Sequence, residues 1–552
     1  MDNHIIVCGL GHVGYRVLDL LQRLKEPAFI IANNIQEEWK SEIESKNIPF
    51  LLGDASNPNL LQKAGINRAK AIIIATDNDL VNVSIVLDAK RLNPSIAVVA
   101  RLFDQRLATQ LEDLLNINKA LSTSYLAAPA FAASVKGENI VSSFQVGDVV
   151  FNVTRMMVGS GLKIGGAIGE VEKEGFVTIA LIRDRKMNIR PSAEDILAGG
   201  DNLIVIDGLH RKTQATSKLD GHLKKEPWSN QLRHFLKTFS ANTWIILCGL
   251  FTVILFSILL FHFNLGLDFI TALYFVITIM TTVGFGDLNF LHASPWIKIY
   301  GCFLMLCGTA LLACLFSIVT NFIISSRLQE LFGQRKAVKS NHVVIVGINN
   351  IGYRIIDFLR KSGEDLVAIA LTKDEEFIET VRGWAPTIIG DPRSEDVLLK
   401  SKLRNAKALI AVTDDDVVNL SVGLASKKLN PNVKVVLRMF GGDLAQKVQR
   451  GFTFDAVLST STVSAPTFVG AALHADVINA FIVEDGFFIM LHKKIRIGSD
   501  WIGQSIQNIE QREDMRALFY KPSSDSSFSL ISQAHSVQAG QEFIAITTKQ
   551  FA

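Results

Sequence analysis

Two glycine clusters hold the residue types and spacings that could do chemistry. The first is Gly9-Leu10-Gly11-His12-Val13-Gly14, directly after the apolar run Ile5 to Cys8. G-x-G-x-x-G is a weak signal alone, but between a strand and a helix it reads as a phosphate cradle. There Gly9 would make the turn, Gly11 would let backbone approach a pyrophosphate, and Gly14 would let the helix pack on the strand. The second cluster is Thr281-Thr282-Val283-Gly284-Phe285-Gly286-Asp287, at the end of 18 uncharged residues between Asp268 and Asp287. A single helix could barely cross a bilayer with that length, and its last residues would not be helical. Non-helical backbone at membrane depth is tolerated only where it is buried in protein or lines a water-filled path. A half-helix followed by a re-entrant loop is therefore expected.

Such a loop needs spans on both sides. Of 552 residues, 49% are hydrophobic and 20% charged, an apolar excess that must be concentrated locally. Thirty residues without a charge separate Lys237 from Asp268, and 28 separate Lys298 from Arg327. Each run can cross the ~30 Å hydrocarbon core as a helix. This predicts a membrane module at 239–327, with span 1 at 243–263, a half-helix at 270–281, a loop at 282–287 and span 2 at 297–324. Lys224, Lys225, Arg233 and Lys237 precede the first span, and Arg327, Arg335, Lys336 and Lys339 follow the second. Only Asp268, Asp287 and Lys298 lie between the spans, so both termini are expected in the cytoplasm.

Other classes are excluded by composition. Lys+Arg 56 against Asp+Glu 53 gives a net charge of +3, which provides no global field for nucleic acid. The five cysteines form no CxxC pair and read as small buried hydrophobes rather than disulfide or zinc ligands. No span carries Arg or Lys at every third position, so no voltage-sensing helix is expected. The N-terminal run reads as a strand and not as a signal peptide.

With two spans and a half-helix around it, TTVGFGD resembles the T-V-G-[YF]-G-D selectivity filter of potassium channels with two spans per subunit. The resemblance implies K+ as the permeant ion, held by the backbone carbonyls of Thr282, Val283, Gly284 and Phe285 and by the Thr282 hydroxyl. Gly284 and Gly286 would sit where a Cβ is penalised. Val283 and Phe285 would point into the packing around the pore helix, and Asp287 would cap the outer mouth. Gly308, in the second span, resembles the family's gating hinge, although a helix-packing glycine fits as well. One filter per chain cannot ring an ion, so a homotetramer with C4 symmetry in the cell (inner) membrane is implied.

The remainder of the chain is a repeat. Residues 4–22 and 342–360 share seven of nineteen positions, and the match continues through GDASNPNLLQ against GDPRSEDVLL, RLNPSIAVVAR against KLNPNVKVVLR and LSTSYLAAPAF against LSTSTVSAPTF. Each copy alternates short apolar strands with amphipathic helices, the pattern of a doubly wound parallel α/β (Rossmann-like) sheet. The acid expected after the second strand is absent from copy 1, where Asn33 or Asn34 stands instead, which argues against NAD while leaving other adenine nucleotides open. In copy 2 Asn349 replaces the middle glycine, so a side chain stands where phosphate would lie.

These units resemble the RCK domain, the TrkA-like regulator of K+ conductance. The expected organisation is an RCK N-lobe at 1–120 and its crossover helix and small α+β C-lobe at 121–215. A basic linker at 216–238 leads to the membrane module. A linker at 328–340, the second N-lobe at 341–457 and the second crossover helix and C-lobe at 458–552 follow it. The resemblance implies a nucleotide crevice in copy 1 made by Gly9, Gly11, Gly14, Asn33, Asp54, Ala55, Thr76, Asp77 and Arg101, with Arg101 facing phosphate. A weaker or empty crevice in copy 2 would use Gly347, Gly352, Asp391, Thr413 and Arg438. The ligand would be an adenine nucleotide, NAD(H), ATP or ADP; Asp414-Asp415-Asp416 reads as a solvated loop in preference to a Ca2+ site. Four chains would supply a gating ring of eight RCK domains. The expected function is a ligand-gated potassium channel, not an enzyme. The alternatives are a membrane-tethered regulator, which leaves TTVGFGD unexplained, and an NAD-dependent oxidoreductase, for which no catalytic set is evident.

Overall fold

The computed structural model describes residues 2–207, 241–331 and 340–551, apart from 104, 116, 136–139, 148, 160–164, 174, 185, 190, 523–526 and 533. The basic linker with Lys224, Lys225, Arg233 and Lys237 lies outside the described residues, as do Arg335, Lys336 and Lys339. The chain falls into two units, Met1–Lys218 with Lys336–Ala552, and Leu219–Arg335.

In the first unit the apolar runs become two six-stranded parallel sheets. Copy 1 has the spatial order Phe50–Leu52, Ala28–Ala32, Ile5–Cys8, Ala71–Ile74, Ala97–Arg101, Lys119–Leu121. Copy 2 repeats it with Thr387–Ile389, Leu366–Ala370, Val343–Val346, Ala408–Ala411, Lys434–Arg438, Ala456–Leu458. The central strands are buried on both faces, which is why they read as unbroken apolar runs. In each copy the strand order reverses beside the first strand, and a doubly wound sheet opens its crevice at that point. Each C-lobe is a five-stranded antiparallel sheet, spanning Ile140 to Asp207 in copy 1 and Val477 to Gln550 in copy 2.

The two copies are not independent domains. The crossover helix of copy 2, Thr460–Leu473, covers one face of the copy 1 sheet, and Phe468 and Val469 share a core with Ile5, Val7, Val17, Leu21 and Ile30. Reciprocally, Phe131 and Ala132 of the copy 1 crossover helix, Thr123–Ser134, pack with Val343, Ile345, Ile355 and Ile410. The C-lobes merge in a third core, where Phe151 meets Phe519 at 5.2 Å and Phe528 at 5.8 Å. Each N-lobe is thus completed by the other copy within one chain. Phe468→Ala is accordingly expected to cost about 3–5 kcal/mol, the range for emptying a fully buried aromatic site. It should loosen copy 1 although the residue belongs to copy 2, read as faster amide exchange in Ile5–Cys8.

A histidine opens the first strand of both copies. His4 donates through Nε2 to the Ala64 carbonyl and His342 to the Ser401 carbonyl, each at 2.8 Å. Both rings are fully buried, and neither Nδ1 has a partner among the described residues. Burial holds both imidazoles below their ordinary pKa. A depressed folded-state pKa means that the stabilising contribution is complete above the unfolded value near 6.5 and is lost as pH falls below it. Melting temperature should therefore drop between pH 6.5 and 5, and His4→Gln should reduce that drop.

The described residues of the second unit form three helices, Ala241–Leu265, Phe269–Met280 and Pro295–Leu331. The outer two extend beyond the expected spans at 243–263 and 297–324. The last continues through Arg327 to Leu331, because Arg, Leu, Gln and Glu all favour helix once the apolar run ends. At 1.5 Å per residue these helices are about 37 and 55 Å long, enough to cross a bilayer. They enclose a small core of Phe261, Phe275, Val276, Ile279, Met280, Ile297 and Leu304. Phe251, Phe263, Ile270, Ile299 and Leu306 remain exposed. Helices apolar all round belong against lipid or other helices.

Candidate functional site

The half-helix that leads into the Thr281–Asp287 loop is anchored at both ends. Asp268 caps the start, accepting from the Thr271 N–H at 3.3 Å and its hydroxyl at 2.5 Å. The helix runs Phe269–Met280, one residue displaced from the expected 270–281, and Thr281 is its C-cap. Beyond it the Thr278 carbonyl accepts from both Val283 N–H at 3.1 Å and Gly284 N–H at 3.3 Å. Thr278 was not among the residues expected to matter, since an accepting carbonyl leaves no signature in a side chain.

From Thr282 the backbone alternates. Thr282, Gly284 and Gly286 have φ of +62°, +47° and +83°, while Val283 and Phe285 are on the negative side. Alternating hand places successive N–H groups on one side of a ribbon, and hence the carbonyls on the other. A β-branched residue at positive φ costs on the order of 1–3 kcal/mol, so Thr282 holds strain that glycine would not. Val283 and Phe285, expected to point into packing around the pore helix, are 54% and 71% exposed within the single chain. At the far end of the loop the Asp287 carboxylate accepts from the Leu288 N–H at 3.0 Å. A Cβ on Gly308 would lie 2.7 Å from the Met280 Cα. That contact is a sufficient reason for glycine there, and the hinge role rests on the resemblance alone.

In copy 1 the glycine loop meets the end of the fourth strand. Gly9 turns at φ +87°, and a Cβ on it would approach Thr76 N to 2.9 Å. A Cβ on Gly14 would strike the Gly9 carbonyl oxygen at 2.0 Å, whereas one on Gly11 would meet nothing within 4 Å. The helix His12–Arg23 therefore begins with no side-chain cap and with open space before it. Among the described residues Arg101 makes no ion pair; its Nη1 lies 3.4 Å from the Thr76 carbonyl, its guanidinium 4.6 Å over the Phe103 ring, and its Nε is buried without a partner. Burial lowers its pKa, Asp77 and Asp79 oppose the shift and Arg438 adds to it. Asn33 and Asp54 are exposed at strand ends, Ala55 is buried, and Asp54 closes its own turn on Ser56 N–H at 2.9 Å. Gly9, Gly14, Thr76 and Arg101 are thus brought together, and no bond joins Asn33 or Asp54 to them.

Asn82 was missed. It is fully buried, donates to the Thr76 and Arg101 carbonyls at 3.1 and 2.9 Å, and accepts from the Thr76 hydroxyl. Asn419 does the same for Thr413 and Arg438. The pair was visible in the repeat, where NDLVN aligns with DDVVN.

Copy 2 is built differently. Asn349 caps the helix Asn350–Lys361 through Gly352 N–H at 3.1 Å, and its amide donates to the Val412 carbonyl at 2.8 Å and to Asp414 at 3.0 Å. Arg438 pairs with Asp414 at 2.8 Å, and Asp391 with Arg393 at 2.7 Å. The acidic run is engaged residue by residue, since Asp415 caps Asp416–Leu429 and Asp416 accepts from Phe440 N–H. These carboxylates give no support to Ca2+, and no metal-holding cluster occurs among the described residues. The copies touch beside the crevices, where Arg16 donates to Asp443 at 2.8 Å and His12 lies 6.2 Å from the Phe440 ring.

Residues 5–123 and 343–460 match the TrkA-N domain, and residues 245–325 match the ion channel domain. The chain is 27% identical over 253 residues to probable potassium channel protein 2 of Methanocaldococcus jannaschii, covering 44% of this chain and 69% of that protein. It is 30% identical over 230 residues to potassium channel protein 1 of the same organism, covering 40% and 65%. It spans about two thirds of each of those relatives. The structure of the GsuK channel bound to NAD is alike in fold, with a TM-score of 0.51 at 12% identity over 99% of this chain and 77% of that one.

Proposed function

This chain belongs with the potassium channels that carry regulatory RCK domains, having TrkA-N domains at both ends and an ion channel domain between them, and from that premise we propose that it is a K+-selective channel gated by an adenine nucleotide. The observation that carries the selectivity reading is the positive φ at Thr282, Gly284 and Gly286. It turns the carbonyls of Thr282, Val283, Gly284 and Phe285 to one side, the donor row that a dehydrated K+ needs. The exposed Val283 and Phe285 obtain their packing from neighbouring chains of a homotetramer, whose eight RCK domains form a gating ring. Both termini are cytoplasmic, by the positive flanks of the spans.

The gating ligand occupies copy 1. Its uncapped helix start and its Arg101, which makes no ion pair among the described residues, offer N–H donors and positive charge to phosphate. The NAD-bound GsuK structure supports an adenine nucleotide as the class. Ligand moves the pore only through different affinities for open and closed rings. A shift from 1:99 to 99:1 needs a ratio of about 10⁴, or about tenfold at each of four sites.

The test is flux in liposomes with purified protein, K+ against Na+, titrating NAD+, NADH, ATP and ADP separately. K+-selective flux that changes with one of them is expected. No K+-selective flux overturns the channel reading, and flux indifferent to every nucleotide overturns the gating reading alone.

A further inference from the structure

The segment after the second strand is anchored alike in both copies. Trp39 stacks on Tyr15 and Phe377 on Tyr353, each at 4.6 Å, and a glutamate stands two residues before each aromatic, Glu37 and Glu375. The glutamates then diverge. Glu37 is exposed in the first turn of Glu37–Ser45. The Glu375 carboxylate folds back and accepts from Ile348 N–H with one oxygen and from Leu371 N–H with the other, both at 2.6 Å.

Ile348 lies inside the glycine loop and Leu371 follows the strand Leu366–Ala370. Ribose and the first phosphate lie between these two places in a doubly wound nucleotide fold. In copy 1 the corresponding N–H groups, Leu10 and Asn33, have no acceptor among the described residues. The remaining polar groups follow the same division. The helix start of copy 2 is capped by Asn349, while that of copy 1 is open. Arg438 is paired with Asp414, while Arg101 makes no ion pair among the described residues.

We propose that copy 2 is a self-liganded crevice in which the Glu375 carboxylate and the Asn349 carboxamide stand where a nucleotide's ribose and phosphate would lie, leaving one nucleotide site per chain. The stoichiometry rests on the nucleotide reading of copy 1, and the clamp by Glu375 does not. An anion fixed on the chain satisfies backbone donors without loss of translational freedom, so a free ligand cannot compete for them at ordinary concentrations.

Two measurements on the full-length protein separate these parts. Without ligand, the amides of Ile348 and Leu371 should exchange slowly and those of Leu10 and Asn33 quickly. Glu375→Ala should speed the first pair about tenfold or more while the strand Val343–Val346 stays protected. Equal exchange at Ile348 and Leu10 in the unmodified protein, or no response to Glu375→Ala, overturns the clamp. Equilibrium dialysis with ADP as probe should then count one nucleotide per chain, and none after Gly11→Asn. Two per chain overturns the self-liganded crevice. None in the unmodified protein overturns the nucleotide reading, while the exchange data still judge the clamp.

Discussion

Gly284→Asp is expected to reduce K+ flux in liposomes to the level of empty vesicles, a loss of at least about a hundredfold, with the assembly and its ADP binding unchanged. The residue sits at φ +47°, where any Cβ costs on the order of 1 kcal/mol. Relaxing that cost rotates the Gly284 peptide and removes its carbonyl from the row. Nothing lies within 4 Å of the Cβ position, so the chain accommodates the aspartate sterically and the effect falls on the backbone and the pore. In the proposed homotetramer four carboxylates around one axis would hold a cation too tightly to release it, and conduction needs sites weak enough to leave. Gly284→Ala isolates the backbone part and should retain measurable flux with poorer K+/Na+ selectivity. Ordinary K+ flux through Gly284→Asp would remove this loop from the conduction path.

Gly14→Ala should abolish nucleotide binding and destabilise copy 1 together. Its Cβ would lie 2.0 Å from the Gly9 carbonyl oxygen and 3.0 Å from its carbon, both backbone atoms that cannot rotate aside. The helix His12–Arg23 must move off the first strand, and strain of this kind costs about 1–3 kcal/mol or more. Gly352→Ala meets the Gly347 oxygen at 1.9 Å, so it should destabilise copy 2 equally while leaving ADP binding in place. Gly11→Ala, which meets nothing, is the control that should fold normally. Thermal melts beside equilibrium dialysis distinguish the three. A Gly14→Ala protein with full stability and full binding would show that the helix does not depend on that close approach.

These contrasts locate what was legible in the residues. The two long apolar helices, the half-helix and the loop could be read because charge-free length and glycine spacing are local properties. The repeat could be read because both copies retain the same strand and turn residues. The bounds were less exact: Pro295–Leu331 runs past the apolar segment into the expected linker, since helix propensity does not stop where hydropathy does. Thr282 at positive φ had no sequence signal, as threonine ordinarily argues against that conformation.

The sequence by itself determined a glycine-bearing loop between two apolar helices and a Rossmann-like fold present twice, because periodicity, charge and glycine placement act within about ten residues. It could not determine which crossover helix covers which sheet. Phe131 and Phe468 stand at equivalent places in the repeat, and either would bury the same apolar face. Only the tertiary structure decided that each serves the other copy, making one interlocked pair within the chain. It also decided the difference between the crevices. Glu37 and Glu375 are the same residue type at the same distance from an aromatic anchor, and only the path of the loop sends one carboxylate to solvent and the other onto the amides of Ile348 and Leu371. Interactions between residues far apart in the chain depend on the summed packing of the whole unit, which no local pattern encodes.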